Sequence, residues 1–161
     1  MGKKKIKQQI EEKISINSYL IRFALIYCAN LIILLSLKYQ VGLNDTLIFT
    51  VVIIILSARF TSTKFIMDNK RLFTQAEKMK LIWSSWGLVW FISIITTTLL
   101  TFILAGKETL NQLVGTFQMM PTLQFISSIA GASVVCFVLL FVTYGFNAKR
   151  EFEIFKKQGK I

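Results

Sequence analysis

SARFTSTKFIMDNKRLFTQAEKMK, residues 57–80, lies between two long apolar segments and carries Arg59, Lys64, Lys70, Arg71, Lys78 and Lys80 against only two acids, Asp68 and Glu77. A short basic loop between membrane spans is retained on the cytoplasmic side. This connector therefore sets the direction of every neighbouring segment. Its interior carries two local signals. Asp68-Asn69-Lys70 is turn chemistry. Thr74-Gln75-Ala76-Glu77 matches the capping box, in which Thr and Glu satisfy each other's backbone donors, so a helix is expected to start at Gln75.

Outward from the connector, the chain of 161 residues is 54% hydrophobic and has a single Pro, and its apolar residues fall in four blocks. Blocks of roughly 20 apolar residues read as membrane spans, whereas a soluble bundle keeps a charged face on every helix. The expectation is an all-α integral membrane four-helix bundle with N- and C-termini cytoplasmic. Its spans are expected at about 18–37, 45–67, 81–104 and 121–147, with a cytoplasmic connector at 68–80 and an outer connector at 105–120. The net charge of +11 follows the same plan: sixteen of the nineteen bases lie in the N-terminal arm, the central connector and the C-terminal tail. That distribution orients the protein and attracts anionic lipid head groups. It lacks the groove-reading or aromatic motifs of a nucleic-acid binder. No cleavage-site pattern follows the first apolar segment, which is expected to stay as a helix.

Each span has its own features. In the first, Arg22 lies about 6 Å inside the cytoplasmic end at 1.5 Å per residue, close enough for its guanidinium to snorkel to the head groups. Ser18, Arg22, Ala29 and Ser36 share a face, with Asn30 beside it, and that face is expected to meet another helix. The second span opens with the β-branched run Val51-Val52-Ile53-Ile54-Ile55, which a bilayer would still hold as a helix. In the third, Trp83, Trp86, Trp90, Ser93, Thr97 and Thr101 line one side. An interfacial aromatic belt, helix packing through the hydroxyls and a polar conduit all remain open readings of it. Leu110, Leu113, Val114 and Phe117 in the outer connector recur at amphipathic spacing, which predicts a short helix lying on the outer leaflet. Pro121 can open the fourth span. There, Ser127-x-x-x-Gly131 and Ser128-x-x-x-Ala132 let a second helix approach closely. The tail offers Phe152, Ile154 and Phe155 for an interfacial helix.

Nothing in the chain supports catalysis. It has no His, its eight acids all fall outside the expected apolar cores, and Cys28 and Cys136 cannot complete a metal site. No enzyme activity, cofactor or metal is expected. The polar residues of interest are candidate lipid or partner contacts, Arg22, Arg59, Lys70 and Arg71, because Arg in particular binds phosphate or carboxylate through two parallel hydrogen bonds. Ala29, Asn30, Trp90, Ser93, Thr97, Thr101, Ser127 and Gly131 are candidate helix-packing positions.

Arg22-Phe23, Ala58-Arg59-Phe60 and the connector segment Lys70 to Glu77 (KRLFTQAE) together resemble a group of small bacterial inner-membrane proteins catalogued as the ABZJ-type family. The resemblance implies four helices, cytoplasmic termini and no assigned activity. Three function classes stay open: an accessory subunit or scaffold of a membrane complex, an immunity protein against a pore-forming toxin, and a small channel or lipid-binding transporter. The expected partners are a bilayer with anionic head groups and another membrane protein or a second copy, with no nucleic acid.

Overall fold

The structure, a computed structural model, describes residues 16–41, 46–119 and 121–161. Within them lie four long helices: α1 (Ile16–Val41), α2 (Thr46–Asn69), α3 (Gln75–Met119) and α4 (Thr122–Val142). A π turn (Thr143–Asn147) then leads without a break into α5 (Ala148–Lys157). All four long helices are long and apolar enough to cross a membrane. The N-terminal arm and residues 42–45 lie outside the described residues.

Local chemistry sets the helix ends. The α2–α3 turn has the expected form: the Thr74 backbone N–H donates to Glu77 Oε2 (2.8 Å), and the Glu77 N–H donates to Thr74 Oγ1 (3.3 Å). The left-handed residue that ends α2 is Lys70 (φ 49°), whose N–H still bonds the Ile66 carbonyl (2.8 Å). Asn69 stays helical because its amide is engaged elsewhere, donating to Tyr19 Oη (3.0 Å) and to the Phe65 carbonyl (2.9 Å). At the start of α4, Pro121 sits just before the first helical residue and its carbonyl accepts from the Phe125 N–H (3.0 Å).

The third helix departs from expectation. Residues 105–119 do not form a separate short helix after the span, because α3 runs unbroken through them for 45 residues. At 1.5 Å per residue that is about 68 Å, more than twice a hydrocarbon core of about 30 Å. The physical reason is that single glycines, Gly106 and Gly115, weaken a helix without stopping it. The first residue able to stop it is Pro121.

The helices form a ring in which α1 packs on α2 and α3, and α4 packs on the same two from the other side. Tyr19 near the start of α1 meets Asp68 and Asn69 at the end of α2, so these two run antiparallel. Ser85 near the start of α3 meets Tyr144 just past α4, so that pair is antiparallel as well. The connector, the start of α1, the start of α3 and the π turn are thereby gathered at one end, which also carries the basic residues of the connector and tail.

Packing is concentrated at this basic end. The most deeply buried side chains there are Tyr19, Phe23 and Tyr27 of α1, Ala58, Phe65 and Ile66 of α2, Leu81 and Ile82 of α3, and Leu140 and Tyr144, and the core extends away from that end through Leu34, Ile53, Ile54, Val89 and Cys136. A chain of aromatic contacts crosses it: Tyr19 on Phe65 (5.1 Å between centroids), Phe65 on Phe73 (4.0 Å) and Phe73 on Tyr144 (5.9 Å). Toward the other end the helices diverge. Every residue of α4 from Thr122 to Ala132 is exposed, and α3 has no buried described side chain beyond Val89.

The inward face of α1 also departs from expectation. Tyr19, Phe23, Tyr27 and Leu34 point inward, while Ser18, Arg22 and Ala29 are exposed. Large aromatic rings bury far more surface and make far more dispersion contacts than small or polar residues do. Those rings fix the rotation of the helix.

Candidate functional site

Two features of this architecture could engage another molecule, and both involve α2. The first is a groove toward the open end, bounded by Thr50, Val51 and Ile54 of α2 and by Ser128, Ala132 and Val135 of α4, with Cys136 and Leu139 closing its inner end. It encloses about 530 Å³. Its position fits the packing: the buried residues of α4 begin at Cys136, and the small residues Ser128 and Ala132 before that point border the unfilled space between the helices. Of the two small-residue spacings in α4, Ser128-x-x-x-Ala132 faces this groove. The other, Ser127-x-x-x-Gly131, is exposed, and a Cβ added at Gly131 would meet nothing within 4 Å. Both serines donate to the Gln124 carbonyl (3.0 and 2.8 Å), so neither presents an unpaired hydroxyl to an apolar neighbour.

The second feature is a cleft at the basic end, about 320 Å³, between Leu56, Arg59, Phe60 and Thr63 of α2 and Glu151, Ile154 and Phe155 of α5. Arg59 was expected to contact lipid or a partner, and it has a partner inside the chain. Its Nε–H donates to Glu151 Oε1 (2.5 Å), and Thr63 Oγ1 donates to Glu151 Oε2. The ion pair is asymmetric: the Glu151 side chain is 10% exposed and that of Arg59 is 60% exposed. The π turn makes the pairing possible. The Ala148 N–H reaches back to the Thr143 carbonyl, five residues earlier. That extra residue rotates everything after it by about 100° relative to α4, which turns Glu151 toward α2.

The remaining candidates fall into three groups. Arg71 is also engaged internally: its two amino groups grip Glu77 (2.8 Å to each oxygen), and its guanidinium lies 5.3 Å from the Phe65 ring centroid. The hydrogen bonds to Glu77 raise its pKa above the ordinary value and keep it charged at any accessible pH. Arg22 and Lys70 are exposed and form no ion pair among the described residues.

Of the packing candidates, Ser93 makes an interhelical bond, with its Oγ 3.0 Å from Tyr27 Oη. Asn30 donates to the Ile26 carbonyl of its own helix (2.9 Å). Trp90 Nε1 is buried and makes no hydrogen bond among the described residues. Thr97 is exposed, as are Ala29, Ser127 and Gly131, so these four do not pack within the chain. The side chain of Thr101 lies outside the described residues, as do those of Leu110, Leu113 and Phe117. Trp83 does pack, edge-on to Trp86 (5.8 Å) and against Phe137 of α4 (5.0 Å).

Sequence reasoning missed a polar cluster in the core at the basic end. Tyr144 Oη lies 3.1 Å from Ser85 Oγ, Thr61 donates to the Ser57 carbonyl (2.8 Å), and Thr143 donates to the Leu139 carbonyl (2.7 Å). It also missed the role of Glu151. The α5 segment shows only that Ala148, Glu151 and Phe155 recur at three and four residues and share a face; which way that face points is set by the π turn. Among the described residues no cluster of three His, Cys, Asp or Glu side chains converges, and both cysteines are free thiols. The arrangement can hold an apolar segment in the first groove and a charged amphiphile in the second cleft.

No protein-family model matches the chain, and no curated protein or solved structure is significantly similar to it.

Proposed function

We propose that this is a non-enzymatic, multi-pass protein of a bacterial inner membrane, with both termini in the cytoplasm, that works by accepting a transmembrane helix of another membrane protein between α2 and α4. Orientation rests on the basic residues gathered at the connector end, which the positive-inside rule keeps in the cytoplasm.

The observation that carries the proposal is the unfilled groove of about 530 Å³ bounded by Ser128 and Ala132 on a helix half that is otherwise fully exposed. Within a bilayer, apolar surface alone gives helices no reason to associate, since lipid tails are equally apolar. Association comes from close packing, which small residues permit. The volume suits the side-chain ridge of an approaching helix settling between two others. The firmly packed basic end acts as the fixed base of this fork, so a guest helix need not order the host and loses less affinity to induced rearrangement.

The test is to extract the protein from native membranes in mild detergent and compare it with Ala132→Phe, which fills the groove from within. The proposal expects a complex heavier than the lone chain, of fixed stoichiometry and containing a second membrane polypeptide. That complex disappears in the variant, while the thermal stability of the isolated chain is kept. A complex that survives Ala132→Phe unchanged would refute the assignment of the groove.

A further inference from the structure

We propose that the cleft between α2 and α5 is a binding site for a single zwitterionic phospholipid with a primary-amine head group, its phosphate held by Arg59, its ammonium by Glu151 and an acyl chain by the apolar walls. The inference rests on the membrane reading of the four helices but not on the helix-accepting groove, which lies nearer the other end of α2.

Three observations lead to this ligand. First, the cleft is amphiphilic in a fixed order. Its charged pair sits beside Thr63, and its walls are Leu56, Phe60, Ile154 and Phe155, of which Phe60 is 59% exposed with no ring contact among the described residues. A purely apolar guest would leave the charges unserved, and a small free anion would leave the walls bare. Second, Arg59 is prepared for an anion. Thr63 holds the Glu151 carboxylate, the carboxylate holds Nε, and the two outer amino groups make no hydrogen bond among the described residues on a side chain that is 60% exposed. A guanidinium presenting two parallel N–H groups matches a phosphate diester, and holding it in place beforehand reduces the ordering cost of binding.

Third, the charged pair that lines the cleft is itself neutral, and a further base beside it is Lys160, whose ammonium lies 5.8 Å from the Phe155 ring centroid. Glu151 cancels the charge of Arg59, so the pair itself gives no preference to a net-negative head group. The carboxylate accepts one bond on each oxygen and keeps lone pairs for an ammonium donor. The exposed bases of the tail, Lys149, Arg150, Lys156 and Lys157, attract anionic lipids to the surface generally. The cleft is the place where a zwitterion is selected against that background.

The experiment uses the full chain, purified from membranes in mild detergent and exposed to equal amounts of phosphatidylethanolamine and phosphatidylglycerol. Retained lipid is counted by native mass spectrometry. The expected result is one firmly retained phosphatidylethanolamine per chain, reduced about tenfold in Arg59→Gln, as loss of a charge-assisted pair implies. Because Arg59→Gln also removes an internal ion pair, Phe60→Ala and Ile154→Asn provide a second arm: both alter exposed wall residues, and both should lose the lipid while the chain keeps its melting temperature. Arg22→Gln, an exposed arginine outside the cleft, should retain it. Retention of the two lipids in equal amounts, preference for phosphatidylglycerol, or undiminished retention in Arg59→Gln and Phe60→Ala would each overturn the proposal. Recovery of the chain outside the membrane fraction would instead overturn the membrane reading beneath it.

Discussion

The hydroxyl pair Ser85–Tyr144 is the sharpest place to perturb the closed end of the bundle. Tyr144 is 1% exposed and Ser85 is fully buried, and their oxygens are 3.1 Å apart, joining the start of α3 to the π turn. Tyr144→Phe keeps the ring and its edge contact with Phe73 and removes only the oxygen. The cost then has two parts: the bond itself, worth about 0.6 kcal/mol on average between membrane helices, and the burial of a Ser85 hydroxyl that has lost its partner, up to about 1–3 kcal/mol. A loss of about 1 kcal/mol is the reasonable centre. Ser85→Ala should cost a similar amount, because it strands the Tyr hydroxyl instead. The double variant should cost no more than either single one, since removing both partners leaves nothing unsatisfied. The coupling energy should therefore be about 1 kcal/mol or more. Reversible unfolding of the four proteins in mixed micelles, followed by far-UV circular dichroism, measures it. Additive single costs, with coupling under about 0.3 kcal/mol, would show that the pair does not hold α3 to the π turn.

Three further outcomes follow from named contacts. Thr74→Ala removes one half of the reciprocal cap that starts α3 and should lower stability by about 1 kcal/mol in the same assay, with Ser in its place restoring most of it. Lys70→Gly should raise stability by about 0.5–1 kcal/mol, because Lys70 holds a left-handed backbone that glycine adopts without its steric penalty; an equal or lower melting temperature would contradict this. Ser93→Ala should cost about 0.6 kcal/mol through its bond to Tyr27, whereas Thr97→Ala, four residues on along the same side but exposed, should leave stability unchanged within error.

What the sequence made legible was whatever rests on local chemistry. The Thr74–Glu77 cap appears at its expected place and the turn before it begins at Lys70, with Asp68 and Asn69 still helical, because each depends on residues within a few positions of one another. Four apolar helices could be read for the same reason, their length and composition being properties of the segments themselves. What could not be read was rotation and partnership. The small and polar side of α1 looks like a packing surface until the aromatic side of the same helix is weighed against it, and only the three-dimensional fit shows Phe23 and Tyr27 inside with Ala29 outside.

Arg59 and Glu151 are 92 residues apart and meet only because a π turn rotates α5, a feature with no composition signal. The 105–119 segment read as a distinct element because its polarity changes, but polarity does not break a helix and no breaker stands there. Of the candidate site, the small residues of α4 were visible from spacing. That Ser128 and Ala132 border a groove while Ser127 and Gly131 face away required the structure.

The measurement that bears most directly on the central claim is site-specific photo-crosslinking in native membranes, with a benzophenone side chain placed at position 135, where Val135 borders the groove and is 51% exposed, and, separately, at position 134, where Val134 is 63% exposed but not part of it. The expected result is a discrete adduct with another membrane polypeptide from position 135 and only lipid adducts from position 134. Lipid adducts alone from both positions, or the same protein adduct from both, would contradict the claim that the groove between α2 and α4 receives a helix.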